Sequence, residues 1–593
     1  VPWAKLYLML LATTADQRFW ETDKRILFLG EWCRLYSQKH IWSQLDHEVL
    51  PYHWDDREKL YQDYLLLDQI YESCLSQLTE QLNNLHQTDF PSRYWRIIIG
   101  PWLFYIIEII YDRYLSICAA EMSRKVTNVL LPKSHDTGWA ATDFSEFRNW
   151  VLWDPFNQYI YSEIIQFSGN LLHKITDLPP SSSPKNIETA FLKPFNIIAQ
   201  KIMGKLSPLQ PDSMNEMVFF NSYIKPIELA RLQISLGQLP NPYPPKVKTK
   251  HFSTKKMMRD KIKITAGSTT FEALLKKMLP SLLPTTYAEG YQNMHQHALH
   301  VFPRNPKLIY TTNGLYGEEG FKFWAAWHVT RGTKLVTSQH GGHYGLAKWS
   351  AQEKHEIKVA DKNFTWGWKA KDDPRTIPMA SGQLRSRIKN LKPHTSGDIL
   401  WVGVCLPRYS YWMYSIPVGP QFVDYLTDQK RFAEGVLDDV RRLLVYRLNA
   451  KDYNWSIKER FSEMFSSVKL YTGPKSFYQQ LNESRLCVSS YNSTTYLETF
   501  AADFPTLLFW NPNHWEIRPS AQPYFDELRE AGILHDTPES AASKANIIYQ
   551  DPLAWWQSPG IQKIRKRFCD RFARTSPYWM SEWKEELQKL NKD

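Results

Sequence analysis

Residues 484–510 carry the tightest constraint in the chain: two short apolar runs separated by a polar loop, a helix-like stretch and a proline. Residues 485–489 read as a buried strand and 492–495 as a small polar loop. Residues 496–503 read as a helix that Pro505 stops, and 506–510 as a second strand. A strand that runs into a helix and returns as a strand belongs in a parallel sheet covered by helices.

The loop sits where a strand hands over to a helix N-terminus. That leaves backbone N–H groups and the positive end of a helix dipole facing one spot. Asn492, Ser493, Thr494 and Thr495 add polar side chains there, and Glu498 lies one turn along, where it could accept from ribose hydroxyls. An anion suits such a spot, a phosphate most of all. The plainer alternative is that Asn492 or Ser493 is only a helix cap.

The same alternation recurs. Runs at 6–12 and 25–29 read as buried parallel strands with Asp16 and Glu31 beyond their carboxyl ends, where function gathers in such sheets. Asp16 also suits a cap for a helix near Gln17. A strand at 308–311, a helix at 318–330 and a strand at 334–337 lead into Gln339-His340-Gly341-Gly342-His343. The glycines permit tight turns beside a ligand. Imidazole titrates near neutrality, so His340 or His343 suits a general base or a phosphate contact. A further set opens with a strand at 399–404 followed by Arg408, then a strand at 442–448 holding Arg447, two guanidinium groups suited to phosphate. Long stretches at 53–87, 93–125 and most of 126–235 read as helix.

Composition limits the partners. A chain of 593 residues makes two or three domains. A net charge of +11 suits nucleic acid, anionic lipid or a phosphorylated substrate, and the lack of any nucleic-acid-binding motif argues against the first. The basic run at 246–263 reads as solvated surface or as a patch for anionic lipid headgroups. The apolar run at 97–110 holds Glu108 and is too short to span a bilayer, so it reads as a buried helix. Six scattered cysteines and no evident signal peptide point to the cytoplasm, with peripheral contact at the inner face of an anionic membrane as the alternative. No Asp-x-Asp motif or metal-ligand spacing occurs, so chemistry without a metal or other cofactor is expected.

The strand, Ser/Thr loop, Glu-bearing helix and proline of 484–510 resemble the donor-binding element of GT-B glycosyltransferases. Thr337-Ser338-Gln339-His340-Gly341-Gly342 and Phe364-Thr365-Trp366-Gly367-Trp368 are similar to bacterial surface-polysaccharide transferases of that type. Phe28-Leu29-Gly30-Glu31-Trp32-Cys33, Tyr52-His53-Trp54-Asp55-Asp56-Arg57 and Tyr94-Trp95-Arg96 resemble transferases of O-antigen loci, and the resemblance covers most of the chain.

The resemblance implies an α/β GT-B fold with two Rossmann-like domains facing a cleft. An acceptor-side domain would span 1–395 with a helical insertion over about 50–300, and a nucleotide-sugar-binding domain 396–551. Helices at 552–593 would pack back on the first. It implies sugar transfer from a nucleotide donor, CMP- or UDP-linked among the options, to a glycan, lipid-linked or protein acceptor. Donor binding would fall to Arg408, Arg447, Asn492, Ser493, Thr494, Thr495 and Glu498. His340, Glu31 or Asp16 would take the acceptor's proton, and Gln339, Gly341, Gly342 and His343 would supply loop contacts. Relatives with a cytidine donor often carry His-Pro after the second strand, where this chain has Arg447-Leu448-Asn449. The alternatives are a CDP-polyol phosphotransferase of the same architecture and a non-catalytic carbohydrate-binding relative.

Overall fold

The computed structural model describes residues 9–133, 139–177, 216–240, 247–265, 267–465 and 468–592. Among them, three parallel sheets follow one another along the chain. The first holds β1 (Met9–Ala12), β2 (Ile26–Phe28), β3 (His47–Val49), β4 (Val126–Pro132) and β5 (His173–Thr176), in the order β3-β2-β1-β4-β5. The second holds β6 (Met217–Phe220), β7 (Leu308–Thr311), β8 (Lys334–Ser338), β9 (Lys362–Thr365) and β10 (Thr376–Pro378), in sequential order. The third holds β11 (Asp398–Val402), β12 (Leu444–Arg447), β13 (Lys469–Tyr471), β14 (Ser484–Ser489), β15 (Thr506–Phe509) and β16 (Leu534–His535), in the order β13-β12-β11-β14-β15-β16. The first and third orders reverse direction at β1/β4 and at β11/β14, the Rossmann pattern.

The expected α/β class with Rossmann-like parallel sheets is what the chain adopts, but with three sheets rather than two. The span 50–300 does carry long helices, yet it also supplies β4, β5 and β6, so the described parts of 126–235 mix strands with helices. A four-residue buried strand such as β6 shows a continuous apolar run, which periodicity alone does not separate from a helix segment. The 178–184 loop and the start of the 246–263 basic run lie outside the described residues.

Helices α1 (Arg57–His86) and α2 (Ser92–Ser123) pack against each other. Trp95, Ile98, Trp102, Ile106 and Ile109 of α2 are fully buried, and its apolar surface runs all the way round, so it is a pillar rather than a face-on helix. It touches α3 (Asp154–Ser168) beside the first sheet, and α4 (Glu319–Val329) and α5 (Ala351–Val359) beside the second. The 97–110 run is thus a buried helix, and no described helix is long and apolar enough to cross a membrane.

Three later helices pack in series: α6 (Gly382–Ile388), capped by Ser381; α7 (Thr494–Ala501), the helix after β14; and α8 (Pro559–Phe572), which sets Phe568 against Tyr496 and Phe500 of α7. The last helix, α9 (Trp579–Lys592), returns to the second sheet. Its Trp583 ring lies 5.3 Å from both Tyr310 and Phe364, and its indole donates to Ala380 O at 2.8 Å.

Candidate active site

In open α/β sheets a ligand crevice opens beyond the carboxyl ends of the strands where the order reverses. For the third sheet that place is β11/β14, and the loop after β14 is 490–493. Its side chains are largely spoken for. Asn492 is buried and accepts from Tyr496 Oη at 2.9 Å. Thr495 pairs with Tyr491 through their hydroxyls. Ser493 is the N-cap of α7 but makes no side-chain capping bond. Glu498, four residues beyond Thr494 on α7, is buried; its Oε1 accepts from Arg387 Nη1 at 2.7 Å and from Tyr478 Oη at 3.0 Å. Burial raises the Glu498 carboxyl above the usual range, with the Arg387 guanidinium pulling the other way.

Three successive strands of the second sheet deliver side chains to its own carboxyl edge. Tyr223 follows β6, Asn313 follows β7 and His340 follows β8. Asn313 Nδ2 donates to Tyr223 Oη, and the Tyr223 ring meets His340 edge-on at 6.0 Å. Gln339 braces the loop rather than facing a ligand. Its Oε1 accepts from Trp366 N and Trp368 Nε1 at 3.0 and 2.9 Å, and its Nε2 donates to Gly341 O at 2.9 Å.

The two edges meet. Gly342 N donates to Thr494 Oγ1 at 2.8 Å, and a Cβ on Gly342 would stand 2.3 Å from the Ser493 carbonyl carbon. Gly341 lies against the same hydroxyl. The helix end thus faces the second sheet and is partly covered by its glycine loop. On the far side, Gln383 of α6 donates to His340 O at 3.1 Å, and Arg387, four residues along the same helix, reaches Glu498. The links Gly342–Thr494, Thr494–Glu498 along α7, Glu498–Arg387, Arg387–Gln383 along α6 and Gln383–His340 close a ring that draws on both sheets.

His340 is held from within its own lobe. Tyr344 Oη lies 3.3 Å from its Nδ1 and Gln352 Nε2 lies 3.3 Å from its Nε2. Both of those groups also donate to Glu356 Oε1, at 3.0 and 3.2 Å. Burial pushes the imidazole down to about 4, so it is neutral near pH 7. Burial holds the Glu356 carboxyl well above its ordinary range, and Glu356 Oε2 is buried without a hydrogen-bond partner. His343 takes a left-handed backbone (φ 74°), stacks on Trp515 of the third lobe at 5.6 Å, and is likewise pushed down to about 4 by burial.

Four expected site residues make no hydrogen bond or ion pair to the ring. Arg408 is 2 % exposed; its Nη2 pairs with Asp154 Oδ2 at 2.5 Å and its Nη1 donates to Trp32 O. Tyr409 Oη donates to Asp154 Oδ1 at 2.6 Å, while Thr13 and Thr14 both donate to Gln158. The loop after β11 therefore packs onto the reversal point of the first sheet. Asp16 caps the short turn Gln17–Phe19, as its spacing suggested, and pairs with Arg18; Glu31 pairs with Arg34. Arg447 Nη1 donates to Lys475 O at 3.0 Å and to Gln480 Oε1. None of these bonds joins the ring.

Sequence reading missed Tyr223, Asn313, Gln352, Glu356, Gln383, Arg387 and Tyr478. The rule that singled out His340, a polar residue just beyond a buried strand, applies equally to Asn313 after the strand at 308–311. A groove of about 650 Å³ runs along the other face of α5, past Tyr61, Trp349 and Arg518.

This is a three-sheet parallel α/β framework whose candidate site lies between the carboxyl edges of the second and third sheets. The chain belongs to the LIC12162 family of transferases, whose model matches residues 9–587. None of the curated proteins matches the sequence. Solved structures resemble it distantly. MurG from Acinetobacter baumannii is 10 % identical, with 63 % of this chain and 99 % of that one covered and a TM-score of 0.34. A UDP-GlcNAc 2-epimerase from Neisseria meningitidis bound to UDP-GlcNAc is 11 % identical over the same shares, at 0.35. WaaG, a glycosyltransferase involved in lipopolysaccharide biosynthesis, is 10 % identical over 50 % of this chain and 95 % of that one, at 0.25.

Proposed function

We propose that this transferase moves a sugar from a nucleotide-activated donor to a hydroxyl of a glycan, lipid-linked or protein acceptor. The observation that carries the reading is the Gly342–Thr494 contact. It brings the His-Gly loop of one sheet onto the helix N-terminus at the reversal point of another. A nucleotide would lie with its phosphates toward the first turn of α7 and its ribose toward Glu498, and His340, neutral near pH 7, would take the acceptor's proton. Charge on the leaving nucleotide would be met by backbone N–H groups and cationic side chains.

A thermal-shift screen against CMP, CDP, UDP and GDP tests this, since a ligand that binds only the folded state raises its melting temperature. One nucleotide is expected to raise it in the wild type and to lose most of that effect in Glu498→Ala. A wild type indifferent to all four at millimolar concentration would end the proposal.

A further inference from the structure

The ring contains one guanidinium, and neither of the two arginines singled out from the sequence supplies it. Arg408 is buried at the first-to-third junction, and Arg447 is bonded to a carbonyl and an amide of its own lobe. Arg387 instead keeps 30 % of its side chain exposed and pairs with Glu498 through Nη1. Its position is fixed from two sides. Gln383, one turn earlier on α6, is tied to the His340 carbonyl, and α6 itself packs on α7. Glu498 follows Thr494 by four residues, so its Cα lies about 6 Å along the helix axis from that of Thr494, and the guanidinium is bonded to its carboxylate.

Two features bear on a ligand role for this arginine. Glu498 Oε1 also accepts from Tyr478 Oη at 3.0 Å, so the carboxylate keeps a partner if Arg387 turns away. Thr494 Oγ1 and Asn492 Oδ1 accept hydrogen bonds within the protein and Thr495 shares one with Tyr491, so the side chains at this helix end offer a phosphate only neutral hydroxyl and amide donors and no cation.

We propose that Arg387 is the residue that binds the phosphate of the donor and receives the charge that develops on it. The proposal rests on the glycosyl-transfer reading above. In the transfer step the acceptor oxygen bonds to the anomeric carbon and its proton passes to His340. The bond from the anomeric carbon to the phosphate oxygen breaks, and its electron pair stays on that oxygen. A guanidinium offers two parallel N–H donors to such a group, which a lysine does not reproduce.

The test is calorimetric binding of a nucleoside and of its mono- and diphosphate, for whichever of cytidine, uridine and guanosine the wild type accepts. Arg387→Ala is expected to weaken the diphosphate about tenfold or more and Arg387→Lys by less, with the nucleoside unchanged. Removing Arg387 strands a buried carboxylate, so the same comparison is made between Glu498→Gln and the Glu498→Gln/Arg387→Ala double variant, where no charge is stranded. Equal loss for nucleoside and diphosphate would mean that Arg387 only positions Glu498, and would overturn the assignment. Undiminished diphosphate binding by Arg387→Ala would overturn it while leaving the transfer reading intact. A wild type that binds no nucleotide would remove both.

Discussion

Gly342 and Thr494, 152 residues apart, touch through a single N–H···O bond of 2.8 Å, with the glycine Cα against the Ser493 backbone. The approach is that close only because residue 342 has no side chain. Two segments that each look like a loop beside a strand become one site through this contact.

Gly342→Ala puts a methyl 2.3 to 2.6 Å from Ser493 C, Ser493 Cα and Thr494 N, all of them backbone. The loop must move off α7. We expect a loss of about 1–3 kcal/mol, as for other overpacked sites, together with loss of any nucleotide-dependent rise in melting temperature. Differential scanning calorimetry with and without nucleotide reads both. An unaltered ligand response would mean that the contact does not shape the site.

Gln339→Leu is close in size but leaves Trp366 N and Trp368 Nε1 without their acceptor. Each buried orphan donor costs about 1–3 kcal/mol, so the variant should unfold at distinctly lower urea than the wild type. A midpoint shift too small to resolve would show that these donors find other acceptors.

Arg408→Met should behave as a stability variant rather than a binding one. It leaves Asp154 without its cation at a largely buried junction, for which a loss of about 3–5 kcal/mol is expected. Nucleotide affinity, measured well below the melting transition, should stay within a factor of two of wild type. A selective fall in affinity would return Arg408 to the donor site.

Glu108 on α2 is 5 % exposed and accepts from Met413 N at 2.9 Å, and burial pushes its carboxyl up to about 8. An unfolded glutamate titrates near 4.5. Between those values the unfolded chain has released a proton that the folded chain retains. Stability therefore falls as pH rises from about 4.5 to about 8, by up to about 1.4 kcal/mol per pH unit from this group, and levels off above. Glu108→Gln lacks that loss. It should melt close to the wild type at pH 4.5 and above it at pH 8.5, whereas parallel melting curves at both pH values would contradict the assignment.

Much of the framework was legible in the sequence. The strands at 308–311, 334–338 and 484–489 and the helices after them announced themselves through short apolar runs, polar hand-over loops and Pro505. Asp16 was readable as a cap because capping is a matter of a few neighbouring residues. The separate first sheet was less legible, because β4 and β5 lie far from β1 in sequence and their pairing leaves no local mark.

Arg408 and Arg387 divide the two kinds of knowledge. From the sequence alone the chain is an alternating α/β protein with a phosphate-suited loop at 492–495 and a histidine-glycine loop at 339–343, because backbone geometry and local hydrogen bonding depend on near neighbours. Which arginine lies beside the helix that follows that loop depends on where β11 and α6 come to rest in the folded chain. Only packing in three dimensions, which buries Arg408 against Asp154 and leaves Arg387 beside Glu498, decided it.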